Sequence, residues 1–285
     1  MSDGTLHKGA DDSGGREEGV AFYVYCVGGL SEVQPLLEGR GLPPPIEEGS
    51  ALEMVDAGGL AAVVSAVPLA DYGEEALEAR MKSPEWMAVR AMRHERAAEF
   101  FARRASVVPL RFGTIYLTRG RVVSVLEERG AELASALGRL RGREEWGVNV
   151  YFDRARLKEA VVELSPRLRQ LAGQAAAASP GQAYLLRKKI DALRADEARA
   201  EVRRVSGEVE ARLARAAAGA ARLRVLRDEA GEHGDVAAKL AFLVERECFA
   251  EFRDAAEALA REYESAGFRL ELTGPWPAYN FAAGA

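Results

Sequence analysis

Three histidines and two cysteines are all that 285 residues offer for metal ligation or thiol chemistry. His7, His94 and His233 stand far apart, and none has a second ligand at the spacing metal sites use. Cys26 and Cys248 each lie in or beside an apolar run. They read as buried free thiols of a reducing compartment. Cys-x-x-Cys, His-Glu-x-x-His, a phosphate-cradling glycine loop and Gly-x-Ser-x-Gly are all absent. No specific enzymatic reading is left, so the expectation is a non-enzyme with no catalytic residues, metal or cofactor. No apolar run approaches the roughly 20 residues of a membrane span. Residues 1–19 are polar and glycine-rich with no apolar stretch, which predicts a disordered leader rather than a signal peptide. The net charge of -5 argues against general nucleic-acid binding. The charge is uneven, however. Residues 182–227 carry 12 Arg/Lys against 6 Asp/Glu, a basic excess that suits a charged partner or contact between two halves of the chain.

What is present is enough apolar sequence for real cores. Hydrophobic residues make up 48% and charged residues 29%, and the length suggests about two domains. Val20–Val27 is a continuous apolar and aromatic run that reads as a buried strand. Residues 51–56 and 60–67, split by Ala57-Gly58-Gly59, read as a hairpin. Ser83-Pro84-Glu85 opens a helix with a serine cap, a proline in the first turn and an acid near the positive end. Its apolar stripe is Met87, Ala91, His94, Ala98 and Phe101, and on that stripe His94 reads as a packing residue. A strand at 107–117 and a helix at 121–140 complete an N-terminal α+β domain, 20–142.

From Trp146 the order is strand (146–152), helix (155–164), a long helix (182–218), strands (221–227 and 236–244), helix (249–263) and strand (268–273). With the two helices counted as one crossover, this is the ferredoxin-like βαββαβ pattern with a long first crossover, spanning 143–285. The fold class expected is therefore α+β in two domains. The N-terminal half of the long helix is expected on the sheet, with the remainder projecting against a neighbouring helix.

Two local signatures stand out. In Val107-Val108-Pro109-Leu110-Arg111-Phe112-Gly113-Thr114 an arginine sits at the centre of an apolar run. Read with period two, Arg111 shares a face with Pro109 and Gly113, and Gly113 leaves bare backbone beside the guanidinium. The other reading is an edge arginine paired with a local carboxylate. At the C-terminus, Phe268–Thr273 runs into Gly274-Pro275-Trp276-Pro277, where two prolines withhold amide donors and are expected to stop the strand. Trp276 is then either a contact for a partner or an anchor for its own chain.

Together with His94, Phe22-Tyr23-Val24-Tyr25, Trp146–Tyr151 and the terminal Leu272–Phe281, these signatures resemble the gas vesicle protein GvpL/GvpF family over nearly everything after residue 20. Ala278 departs from a second proline pair expected in relatives. The resemblance implies a non-enzymatic accessory or minor structural role in building gas-filled protein shells, located in the cytoplasm and at the gas vesicle. It implies binding to the small, hydrophobic shell-forming subunit, and possibly other gas vesicle proteins, with limited aggregation of that subunit as the result. The candidate partner-binding residues are Arg111, Phe112, Gly113, Pro275, Trp276, Pro277 and Tyr279. The alternative is a ligand-sensing ferredoxin-like regulatory module, which would carry a compact pocket with convergent polar groups.

Overall fold

The computed structural model describes residues 19–225, 230–231 and 234–282. The expected leader and His233 lie outside them. The chain packs into two compact units. One runs to Glu144 and regains the C-terminal segment from Trp276; the other is Glu145–Pro275. The tail therefore groups with the first unit, whereas the expected division placed it in 143–285. The reason is the packing around Tyr279, described below.

The first unit is built on β1 (Val20–Gly29), an apolar strand buried along nearly its whole length. After α1 (Leu30–Leu37) comes the hairpin of β2 (Glu53–Ala57) and β3 (Leu60–Pro68). Its turn needs positive φ at Gly58 and Gly59 (57° and 81°), which glycine adopts at little cost. Short helices α2 (Leu69–Tyr72) and α3 (Glu74–Arg80) lead to α4 (Pro84–Ala102). Ser83 caps α4 by accepting from the Trp86 amide at 3.4 Å. Strands β4 (Val107–Pro109) and β5 (Ile115–Tyr116) follow, then α5 (Arg119–Glu128) and α6 (Gly130–Leu140). The sheet order is β2-β3-β1-β4, with β5 also paired to β1. Tyr23, Tyr25, Ile46, Val63 and Phe101 sit at the heart of the core.

Two expectations change here. The single helix over 121–140 is two helices, broken at Arg129, which is out of the helical region at φ -104°, ψ 12°. Thr118, not an interior residue, caps the first of them. The expected strand 107–117 is interrupted: β4 and β5 lie along the same flank of β1, and residues 110–114 leave the sheet between them.

The second unit takes β6 (Arg143–Phe152) from Glu145 onward, then α7 (Arg154–Leu164), α8 (Pro166–Ala177) and α9 (Pro180–Leu213). It continues with β7 (Gly219–Leu223), β8 (Ala230–Gly231), β9 (Gly234–Glu245), α10 (Phe249–Glu264) and β10 (Phe268–Trp276); α11 (Tyr279–Ala282), the last described element, belongs to the first unit. The sheet order is β10-β6-β9-β7. Val148, Val150, Leu240, Phe242 and Val244 face Phe252 and Leu259 of α10.

Helix α8 escaped the sequence reading, although Ser165-Pro166 repeats the Ser83-Pro84 start signal and Ser165 caps it at the Leu168 amide (3.3 Å). It changes the placement of α9. Val205, Val209 and Leu213, one row at i, i+4, i+8, lie on the sheet, so the C-terminal half of α9 covers it and not the N-terminal half. Ile190 instead joins Val161, Leu168 and Leu171 in a separate cluster with α7 and α8. Along α9 much of the basic excess is met locally: Arg204 bridges Glu201 and Glu208, Arg212 reaches Glu262, and Arg222 reaches Glu210. Strand β10 does not stop at Thr273 but continues through Pro275 to Trp276. It is the terminal strand of its sheet order, where a residue without an amide donor costs no ladder bond on the outer side.

Candidate functional site

The site is centred on His94. Helix α4 buries His94, Ala97, Ala98 and Phe101 on one face. That face lies over β1, whose Tyr23 and Tyr25 point to the same side by strand alternation. His94 is only 3% exposed. Its ring stacks near Tyr25 (centroids 5.9 Å) and Tyr279 (6.4 Å) and meets Tyr23 and Phe112 edge-on (5.6 and 5.8 Å).

The polar atoms of this aromatic cluster form one directed chain. The Gly113 amide donates to Tyr23 Oη at 3.1 Å. Tyr23 Oη lies 2.8 Å from His94 Nδ1, and His94 Nε2 lies 3.1 Å from Tyr279 Oη. Tyr279 Oη donates to Glu95 Oε2 at 3.2 Å. A neutral imidazole carrying its proton on Nε2 satisfies these three side-chain links: Tyr23 donates to Nδ1, Nε2–H donates to Tyr279, and Tyr279 donates to the carboxylate. A hydrogen bond with the Leu110 backbone acts on the ring as well. Burial favours this state, pulling His94 down to about 4. Burial also raises Glu95, pushes Tyr25 up to about 12 and lifts Tyr23 well above the ordinary phenol range. With both ring nitrogens engaged by tyrosine hydroxyls, His94 acts as a hydrogen-bonding pivot.

Arg111 stands on the excursion between β4 and β5. The Leu110 amide donates to the Tyr25 carbonyl (2.9 Å) and the Val24 amide to the Thr114 carbonyl (2.9 Å), which fixes both ends of the loop to β1. Between them, the Thr114 amide and hydroxyl both donate to the Arg111 carbonyl (3.2 and 2.7 Å), and Gly113 has φ +83°. A residue at that φ does not continue a strand, so the period-two face of Pro109, Arg111 and Gly113 does not exist. Gly113 is indeed open, with nothing within 4 Å of an added Cβ, but its amide is taken by Tyr23. Arg111 is exposed and Phe112 half-buried.

At the tail, Pro277 and Ala278 are buried, and the Tyr279 amide donates to the Pro277 carbonyl at 2.7 Å. These residues, with Tyr279, anchor the segment. Trp276 keeps 47% of its surface exposed, and Pro275 remains in β10. Of the residues singled out from sequence, Arg111, Phe112, Gly113 and Tyr279 gather around the Tyr23–His94 pair. Trp276 and Pro275 do not belong to that cluster. The sequence reading names Tyr23 and Tyr25 only as part of the family resemblance, not as site residues, and does not single out Glu95. The available signal was two tyrosines at i, i+2 in an otherwise apolar strand, since buried hydroxyls need partners. Tyr25 finds Ser65 Oγ (2.7 Å) and the Ile46 amide (2.7 Å). Beside the cluster, Glu47 accepts from Tyr72 (2.6 Å) and from Arg90 through both carboxylate oxygens (2.7 and 2.9 Å). Among the described residues no group of three or more His, Cys, Asp or Glu converges as around a metal ion. No described helix is long and apolar enough to cross a membrane.

The fold is thus a mixed α+β protein whose two antiparallel sheets belong to separate units, and residues 21–283 match the family described as "Gas vesicle synthesis protein GvpL/GvpF". The chain belongs to the GvpL/GvpF family. It is similar to Gas vesicle protein L of Streptomyces sp. (strain CB03234), 31% identical over 231 residues that make up 79% of this chain and 80% of that one. Two solved structures share its fold. The GvpF protein of Microcystis aeruginosa superposes with TM-score 0.62 at 17% identity, covering 93% of this chain and 99% of that one. GvpF of Anabaena sp. PCC7120 gives TM-score 0.65 with the same identity and coverage.

Proposed function

We propose that the chain is a non-enzymatic accessory of gas vesicle assembly that binds the small, hydrophobic shell-forming subunit and limits its aggregation before it enters the shell. Its place of action on this reading is the cytoplasm and the growing vesicle. Family membership supports the gas vesicle part. The observation that carries the binding part is the convergence of Arg111, Phe112 and Tyr279 on one open cleft, from a loop and a tail far apart in sequence. A subunit that polymerises through strands presents unpaired edges and apolar faces that aggregate. A protein that covers such a face, or adds an edge strand to it, holds it in solution. We read the second unit as ferredoxin-like, taking β6, β7, β9 and β10 as its four strands. Strand β10, terminal in that sheet, is a second contact candidate together with Trp276.

The ligand-sensing alternative fits less well. The cleft measures about 250 Å³, below the roughly 300–1,000 Å³ of small-molecule sites. Its lining belongs to the first unit and not to the ferredoxin-like sheet.

Co-expression tests the reading. With this chain present, a shell-forming subunit that otherwise pellets is expected to appear largely in the soluble fraction and to co-purify with it. A subunit that pellets equally with and without the chain contradicts the proposal.

A further inference from the structure

The cleft is lined by Ala91, His94, Glu95, Arg111, Phe112 and Tyr279. Its walls are mainly aromatic and aliphatic, and one charged group at its edge is unspent. Among the described residues the Arg111 guanidinium has neither an ion-pair nor a hydrogen-bond partner. Arg40 and Arg96 of the same unit are likewise exposed without a partner among the described residues, whereas Arg90 pairs with Glu47, Arg93 with Glu48 and Arg119 with Glu53. Of the three unpaired arginines only Arg111 lines the cleft. Three of the lining residues, Ala91, His94 and Glu95, stand on α4. There Ala88, Ala91, Met92 and Glu95 follow at i, i+3, i+4 and i+7, with Met92 51% exposed and Val89 beside it.

We propose that the cleft and this helix face take a polypeptide segment in which a carboxylate lies within one turn of an apolar side chain. The carboxylate pairs with Arg111, and the apolar side chain seats against Phe112, Tyr279 and Met92. The proposal rests on the reading of the chain as a polypeptide-binding accessory and names the chemistry of recognition. A guanidinium matches a carboxylate through two parallel N–H···O bonds, which fix orientation as well as adding affinity. A wholly apolar segment leaves the exposed Arg111 guanidinium without a partner, and a basic group on that side of the cleft meets like charge. The Arg111 side of the cleft therefore favours an acidic-apolar segment. Glu95 lines the same cleft; the Tyr279 hydroxyl bonds one of its oxygens and leaves its charge in place, so the segment's carboxylate seats on the Arg111 side, away from Glu95. The modest volume suits one side chain of a larger partner, held by its neighbours along α4.

The test uses the full chain and two capped peptides, acetyl-Leu-Glu-Ala-Leu-amide and its glutamine counterpart. Binding is followed through the His94 ring signals in a spectrum simplified by the presence of only three histidines. The glutamate peptide is expected to bind about tenfold more tightly than the glutamine peptide, the scale of one charge-assisted pair. Arg111→Gln is expected to erase that preference while leaving the melting temperature unchanged. Arg253→Gln, an exposed arginine of the second unit, is expected to preserve it. Equal affinity for the two peptides, no binding of either, or a preference that survives Arg111→Gln overturns the proposal. Retention of the shell subunit, measured on the same variants, separates the two levels. A wild-type chain that holds the subunit without discriminating the peptides sinks the cleft assignment alone. One that fails to hold the subunit sinks the assembly reading.

Discussion

Replacing His94 with alanine is expected to destabilise the first unit by about 3 kcal/mol, the sum of a cavity and two broken hydrogen bonds. The substitution removes a ring in contact with four aromatic side chains. It also leaves the buried Tyr23 hydroxyl with an incoming bond from Gly113 but no acceptor for its own proton. His94→Phe keeps the ring packing and loses only the polar links, so about half the effect is expected from it. Hydrogen exchange of the β1 amides measures the loss in this unit separately from the other. The same variants should expose the tail. Tyr279 loses its bond to Nε2, and chymotrypsin should cut after Tyr279 and Phe281 at a faster rate than in the wild-type chain. An unchanged exchange rate and cleavage rate in His94→Ala would mean that His94 does not hold the tail.

Acid is expected to act on the same residue. Folding lowers the His94 pKa from 6.5 to about 4. Between those values the unfolded chain binds a proton that the folded chain refuses, so stability is fully present above pH 6.5 and is lost as pH falls towards 4. At about 1.4 kcal/mol per pH unit the loss approaches roughly 3 kcal/mol. Tyr23, Tyr25, Phe112 and Tyr279 surround the ring, Glu95 and Arg111 line the cleft beside it, and a hydrogen bond with the Leu110 backbone partly opposes the effect of burial. Burial keeps Tyr23 and Tyr25 neutral throughout this window. Glu95 works in the opposite sense: a carboxyl raised by burial binds its proton more readily in the fold and offsets part of the acid loss. The informative quantity is therefore the difference between the wild-type chain and His94→Gln. Denaturation from pH 7.5 to 4 should show a steeper decline in the wild-type chain. Parallel curves would place the proton elsewhere.

Where local pattern decides an element, the sequence was sufficient. The apolar run of β1, the Gly58-Gly59 hairpin and the Ser83-Pro84 cap all carry their own geometry in adjacent residues. The loop at Arg111 was not legible, because Gly113 within an apolar run also reads as a strand glycine. Only the Tyr23 hydroxyl, 90 residues away in sequence, holds its amide out of the ladder. The tail was half legible. Proline-clamped Trp276 drew attention, yet Pro277, Ala278 and Tyr279 do the anchoring, through a histidine 185 residues away. The orientation of α9 depended on α8, whose alanine-rich stretch hides a weak apolar row. Arg111, Phe112 and Tyr279 were visible as unusual residues; that they share a cleft is a property of the packed first unit alone.

A photo-crosslinking side chain placed at Met92, beside the cleft, tests most directly whether this surface touches the shell-forming subunit. In cells building gas vesicles, irradiation should yield an adduct whose second component is that subunit, and the same probe at Arg253 should not. An adduct with the subunit missing at Met92, or equally abundant at Arg253, would contradict the assignment.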